Sequence, residues 1–105
     1  MKFTIDELIR KLPLPGDDKW KQGVWDVEPF TKNGVTLVFF GPRGVDYQTQ
    51  HDKDEFYIIV RGSGELVMGV ERIDCSAGDA LFVEAFREHH FEHFTDDFAT
   101  WAVFF

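Results

Sequence analysis

The chain has four histidines, His51, His89, His90 and His93, and His51 stands four residues ahead of Glu55. Imidazole and carboxylate are the side chains that bind divalent transition ions and carry protons near neutral pH. On an extended strand, residues four apart are separated by about 13 Å, so His51 and Glu55 can meet at one atom only if Asp52-Lys53-Asp54 turns the chain. That polar triplet is suited to turning. Taken alone, a His and a Glu in a polar turn are ordinary surface residues. His89 and His90 are adjacent and point to opposite faces of a strand, so one of them faces inward unless a bulge exchanges them. His93 shares its period-2 face with His89 and Phe91, yet lies too far along a strand from His89 to bind the same ion directly. The other reactive residue types lack a setting that would activate them. Ser63 sits in a Gly-rich turn rather than at a strand-to-helix elbow, and Cys75 has no cation nearby in sequence to lower its pKa. Arg43, Arg61 and Arg87 are candidates to hold an anion, or else solvated surface residues.

The elements that must position these groups are short. In the first segment Ile5, Leu8, Ile9 and Leu12 recur at helical spacing. Thr4 and Glu7 form a capping-box pattern, Phe3 and Leu8 occupy the positions of a hydrophobic staple, and Pro13 ends the helix. From Trp20 onward, apolar runs recur between Gly, Pro, Asn and Asp clusters at the spacing of an all-β sandwich or barrel. The runs are Val24 to Phe30, Val35 to Phe40, Phe56 to Val60, Glu65 to Val70, Ala80 to Ala85, His89 to Phe94 and Phe98 to Phe105. Asn33-Gly34 is a strong hairpin signal, and Arg61-Gly62-Ser63-Gly64 and Ser76-Ala77-Gly78-Asp79 are further turns, the former expected to close a hairpin. Phe56 to Val60 and Trp101 to Phe105 are apolar on both faces, which places them centrally or against a second subunit and predicts a homodimer. Trp20, Trp25 and Trp101 are expected in the core or at that interface.

Composition narrows the function. The 105 residues suffice for one domain, and 44% hydrophobic and 16% aromatic content provides a packed core. Nineteen acidic against eleven basic residues give a formal charge of −8, which disfavours nucleic acid and anionic membrane surfaces as partners. A single cysteine excludes an internal disulfide framework and a cysteine-based zinc site, and no apolar stretch has membrane-spanning length. A cytoplasmic protein is expected.

The spacings resemble those of a small single-domain cupin. His51, then three residues, then Glu55, then six residues to Gly62 match the second His, the Glu and the Gly of the family's first motif. Counting on from Gly78 in the second motif places its metal-binding His at His89. Thr49 stands where the first motif has its first His, Glu84 and Phe86 where the second has Pro and Gly, and His93 where it closes with Asn. The resemblance implies a double-stranded β-helix, or jelly-roll barrel, over residues 20–105 with a helix and arm over residues 1–19. It implies one divalent transition ion, whether Fe, Mn, Ni, Zn or Co, on His51, Glu55 and His89. Two imidazoles and a carboxylate are the donor set of a non-haem Fe(II) facial triad. Thr49, Tyr57 and Phe91 are expected to line a small-molecule pocket, with His93 as proton carrier or substrate contact. The implied functions are a metal-dependent dioxygenase or isomerase, a non-catalytic binding or sensing module, or a metal-free degenerate cupin.

Overall fold

The computed structural model describes residues 1–18, 21 and 23–105, so Trp20 lies outside the described residues. Among the described residues eight strands follow one short helix: α1 (Ile5–Ile9), β1 (Asp26–Lys32), β2 (Val35–Phe40), β3 (Glu55–Arg61), β4 (Ser63–Met68), β5 (Glu71–Ser76), β6 (Ala80–Val83), β7 (His90–Glu92) and β8 (Ala99–Phe104). They form two antiparallel sheets in the orders β1-β2-β8-β3-β6 and β5-β4-β7. Val38, Tyr57 and Ile59 from the larger sheet pack with Leu66, Met68 and Phe91 from the smaller, closing one core between them.

Local chemistry explains the pairing. Asn33 and Gly34 have φ of 51° and 81°, the doubly left-handed loop whose twist suits a hairpin, and Lys32 pairs with Val35 across it. Along β3, Glu55, Tyr57 and Ile59 are buried while Phe56 and Ile58 are exposed, a period-2 alternation. The register then builds rows across the inner face. Thr36, Phe104, Glu55 and Val83 form one row, and Val38, Ala102, Tyr57 and Leu81 the next.

Several sequence expectations change. The helix stops at Ile9 rather than reaching Pro13, although Thr4 caps it by accepting from the Glu7 N–H at 3.2 Å. Its buried Leu8 packs with Phe39 and Ala99, and Val60 and Trp101 join this cluster on the outer face of the large sheet. The Trp101 end of the doubly apolar run is therefore covered from within the chain. Strand β5 was not anticipated, because an edge strand with five of six residues exposed carries almost no apolar signal. The Arg61-Gly62-Ser63-Gly64 stretch closes no hairpin. β3 pairs with β6 and β8, β4 pairs with β5 and β7, and Gly62 is the corner between the sheets.

That corner requires glycine. Gly62 has φ of 72°, and a Cβ there would meet Thr95 Oγ1 at 2.2 Å, Asp97 Oδ1 at 2.7 Å and Phe98 Cα at 3.0 Å. Thr95 cannot move aside freely, since its hydroxyl accepts from the Ser63 N–H at 3.1 Å and donates to Asp97 at 2.7 Å. Gly69 has a similar φ of 61° with nothing near its Cβ position. Gly69→Ala should cost about 1 kcal/mol for the left-handed backbone alone, and Gly62→Ala about 2–4 kcal/mol because steric conflict adds to it. Equal losses in denaturant unfolding would refute this account of the corner.

Candidate metal centre

His51, Glu55 and His89 come from a loop, the first residue of β3 and the residue before β7, and one ligand-capable atom from each lies within 4.8 Å of the others. The side chains of Glu55 and His89 are each 1% exposed. His51 is half-buried, its ring edge-on to Phe104 at 4.8 Å and 5.3 Å from the ring of His89.

The chain does double back between His51 and Glu55. The Asp54 N–H and C=O pair with the C=O and N–H of Phe105 at 3.1 and 3.0 Å, and the Asp54 carboxylate accepts from the Ala85 N–H at 2.9 Å. The His51 carbonyl accepts from the Phe86 N–H at 2.6 Å. These bonds tie the turn to the chain end on one side and to the segment leading to His89 on the other.

Hydrogen bonds decide the state of His89. Its Nδ1 lies 2.8 Å from the Arg87 carbonyl, which can only accept, so Nδ1 carries the proton and Nε2 presents a lone pair. That lone pair faces Glu55 Oε1 at 3.0 Å and the Tyr57 hydroxyl at 3.0 Å. The Tyr57 hydroxyl already donates to Gln48 Oε1 at 2.9 Å. Neither oxygen of Glu55 receives a hydrogen bond, the His89 contact being close but poorly aligned. Electron-rich atoms held this close in a buried site require a proton or a metal cation between them. Without a metal, protonation of His89 would fill that role. Burial opposes charge on His89, but Glu55, the Arg87 carbonyl and Asp46 outweigh it and hold its pKa above the ordinary value. Burial, then the charges of Glu55 and Asp46, push the Tyr57 phenol well up.

Two contributors escaped the sequence reading. Asp46, 7% exposed, accepts from the Gln48 N–H at 2.9 Å, Gln48 Nε2 at 2.6 Å and the Phe91 N–H at 2.7 Å. It thereby orients the Gln48 amide, whose oxygen orients Tyr57. Burial raises the pKa of Asp46 and these donors partly offset the rise. The bond from Asp46 to the N–H two residues on was a legible turn signal; the bond to Phe91 spans 45 residues and was not.

Other expected positions are corrected. Thr49 is exposed and does not line the cavity, where Gln48 stands instead. Tyr57 lines the cavity, whereas Phe91 lies beneath it in the core, 1% exposed, with its ring 4.8 Å from that of Tyr57. His89 faces inward and His90 outward, bonded to Glu92 at 2.6 Å. His93 does not share the inward face. Its φ of 51° breaks the alternation after β7, and its side chain, 75% exposed, binds Glu65 at 2.5 Å outside the barrel. Phe86 is also left-handed, at φ 66°. These are the two positions where the cupin motif has Gly and Asn, the residue types that adopt this backbone most readily. Arg43 lies over Trp25 and donates to the Gly41 and Pro42 carbonyls, Arg61 pairs with Asp6, and Arg87 pairs with Glu71 and Glu84. Burial, then Asp79 and Asp74, push the Cys75 thiol up to about 11, which leaves it a poor nucleophile.

Comparison with known proteins agrees with this architecture. The chain belongs to the cupin domain family, whose pattern matches residues 36–105. An uncharacterized protein of Streptomyces coelicolor, SCO3923, is 32% identical over 59 residues, 56% of each chain. The match thus spans little more than half the length of that curated relative. Among solved structures, KdgF from Halomonas sp. superposes with a TM-score of 0.65 at 21% identity, covering 75% of this chain and 76% of that one. A predicted oxalate decarboxylase from Thermotoga maritima gives 0.60 at 20% identity, covering 75% and 76%. DMSP lyase DddQ from Ruegeria pomeroyi gives 0.60 at 24% identity, covering 72% of this chain and 40% of that one. At these identities the superpositions establish the jelly-roll fold.

The raised pKa of His89 sets the sign of a pH effect. In the metal-free chain, its contribution to stability is present below the unfolded pKa of about 6.5 and is lost as pH rises through the folded value. A metal ion competes with that same proton, so the rise in Tm caused by a fixed concentration of Zn(II) should grow as pH increases through the neutral range. Thermal unfolding with EDTA and with Zn(II) from pH 6 to 8 measures this. A metal-induced shift that is constant or falls with pH would contradict it.

Proposed function

We propose that the chain holds one divalent transition ion on His51, Glu55 and His89 and presents it to a small organic molecule in the barrel cavity. The observation that carries this reading is the Glu55 carboxylate, 1% exposed, neither oxygen hydrogen-bonded, facing a lone pair of His89. Fe, Mn, Ni, Zn and Co all suit two imidazoles and one carboxylate. Such an ion supplies Lewis acidity and open coordination positions.

The chain's own residues supply the rest. Arg87 fixes the tautomer of His89 through its carbonyl, and Tyr57, oriented by Gln48, offers its hydroxyl at the cavity wall. Val38, Phe40, Ala102 and Phe104 provide apolar wall that excludes water. A DMSP lyase and a predicted oxalate decarboxylase share the fold, which supports chemistry on a small molecule. An oxygenase or isomerase and a module that captures its ligand without turnover would use the same centre, and substrate conversion separates them. Among the described residues no helix is long and apolar enough to cross a membrane. The proposal places the protein in the cytoplasm, a setting supported by its lone cysteine, with no nucleic-acid partner, in keeping with its acidic charge.

Metal analysis after anaerobic reconstitution tests the centre. Wild type and His93→Ala should carry about one equivalent, while His51→Ala, Glu55→Ala and His89→Ala should each fall to about a tenth or less. Full occupancy in those three variants would overturn the assignment.

The proposal includes a homodimer. Phe56, Phe82 and Phe105 are 41%, 45% and 46% exposed, with Phe56 5.2 Å from Phe82 and 5.8 Å from Phe105. They lie on the part of the large sheet that α1 and its cluster leave bare. Light scattering should give twice the chain mass, and the double substitution Phe56→Ser and Phe82→Ser should give the monomer. A wild-type monomer at high micromolar concentration would exclude this assembly.

A further inference from the structure

The cavity above the triad has a volume of about 310 Å³, at the small end of ligand-binding cavities. Its wall changes character with position. Val38, Phe40, Ala102 and Phe104 make an apolar surface on the sheet, and carboxylates of three further residues, Asp26, Glu28 and Asp52, join that of Glu55 in the lining. Glu28 and Asp52 are exposed, which places them toward the mouth.

Positive charge is scarce. Among the described lining residues Lys53 is the one Lys or Arg, and its ammonium donates to the Gly34 carbonyl at 3.0 Å. The three arginines that could have gripped an anion are engaged elsewhere. Among the described lining residues carboxylates outnumber ammonium groups, His51 and His89 being neutral as ligands. Glu55 would be neutralised directly by the ion it binds. Glu28 and Asp52 would not, and a ligand entering through the mouth passes their field.

We propose that the cavity selects a small ligand that reaches the metal through oxygen donors and carries a positive charge at its outer end, with Glu28 and Asp52 as the specificity-determining residues. Carboxylate-tailed ligands of the same shape are rejected. This rests on the metal reading above and extends it to the chemical class of the ligand.

Three hydroxamates that share one chelating head test the charge of the tail: β-alanine hydroxamate with an ammonium, succinic monohydroxamate with a carboxylate, and propionohydroxamate with neither. Each is titrated into cobalt(II)-loaded full-length protein at low ionic strength, and the cobalt visible spectrum reports binding. The ammonium probe should bind about tenfold or more tightly than the carboxylate probe, with the neutral probe between them. In the Glu28→Gln, Asp52→Asn double variant, whose cobalt content verifies its fold, the ratio should fall toward one, as it should for wild type in 1 M salt. Equal or tighter binding of the carboxylate probe would overturn the inference, and so would a ratio unchanged in the double variant. If cobalt binds but the neutral probe leaves its spectrum unaltered, the cavity does not present the ion to ligands and the inference fails while the metal centre stands. If cobalt does not bind, both fail together.

Discussion

A carboxylate removed from water with no hydrogen-bond donor must have positive charge beside it, and Glu55 imposes that condition on everything around it. It sits at the start of β3, paired on one side with Phe104 of β8 and on the other with Val83 of β6, so the sheet leaves it no route to solvent. The chain meets the condition by bringing His51, from the loop before β3, and His89, from the segment before β7, to the same place. The Arg87 carbonyl then commits His89 to presenting a lone pair rather than a proton toward Glu55. A proton can bridge that gap in the metal-free chain, and a divalent ion satisfies the same geometry with three donors at once. The strand register, the turn through Asp52-Lys53-Asp54 and the Asp46–Gln48–Tyr57 chain are all arrangements that keep this small volume in shape.

The same site shows how a barrel retains its path while its motif residues change. Phe86 and His93 hold left-handed backbone where the family pattern has Gly and Asn. For residues with a Cβ that conformation costs about 1–2 kcal/mol each, and it persists here because hydrogen bonds on either side determine the path. The Phe86 N–H donates to the His51 carbonyl, and beyond His93 the Thr95 N–H donates to Ser63. Loss of the first motif histidine has a comparable resolution. Thr49 faces solvent, and the place in the cavity wall passes to Gln48, whose amide is held by a buried carboxylate. The site therefore keeps three candidate donors and has a neutral polar group beside them instead of a third imidazole.

The outer face of the large sheet divides into two regimes. The helix, only five residues long, gains its place by burying Leu8 against Phe39 and Ala99 rather than by its own hydrogen bonds, which are too few to sustain it. Beside it the aromatic surface of Phe56, Phe82 and Phe105 stays open. Inside, the corresponding contrast lies between an apolar cavity wall and an acidic mouth. Strand alternation keeps the two faces apart, sending successive residues of β3 to opposite environments.

Much of this was legible in residue order. Alternating and turn-bounded runs located seven of the eight strands, Asn33-Gly34 set the first hairpin, and the spacing from His51 to Glu55 to Gly62, with that from Gly78 to His89, marked the residues that meet. Those features are local, and local sterics and periodicity decide them. The tertiary structure alone decided the rest. It took His93 out of the barrel through one left-handed residue, replaced Thr49 by Gln48 in the wall, turned an expected hairpin at Gly62 into a corner between sheets, and assembled Asp46, Gln48 and Tyr57 into one chain of hydrogen bonds. It also showed that an exposed edge segment, Glu71–Ser76, is a strand. Each of these depends on a partner distant in sequence or on one backbone angle, and neither hydrophobic pattern nor motif spacing encodes such a partner until the two sheets have closed on each other.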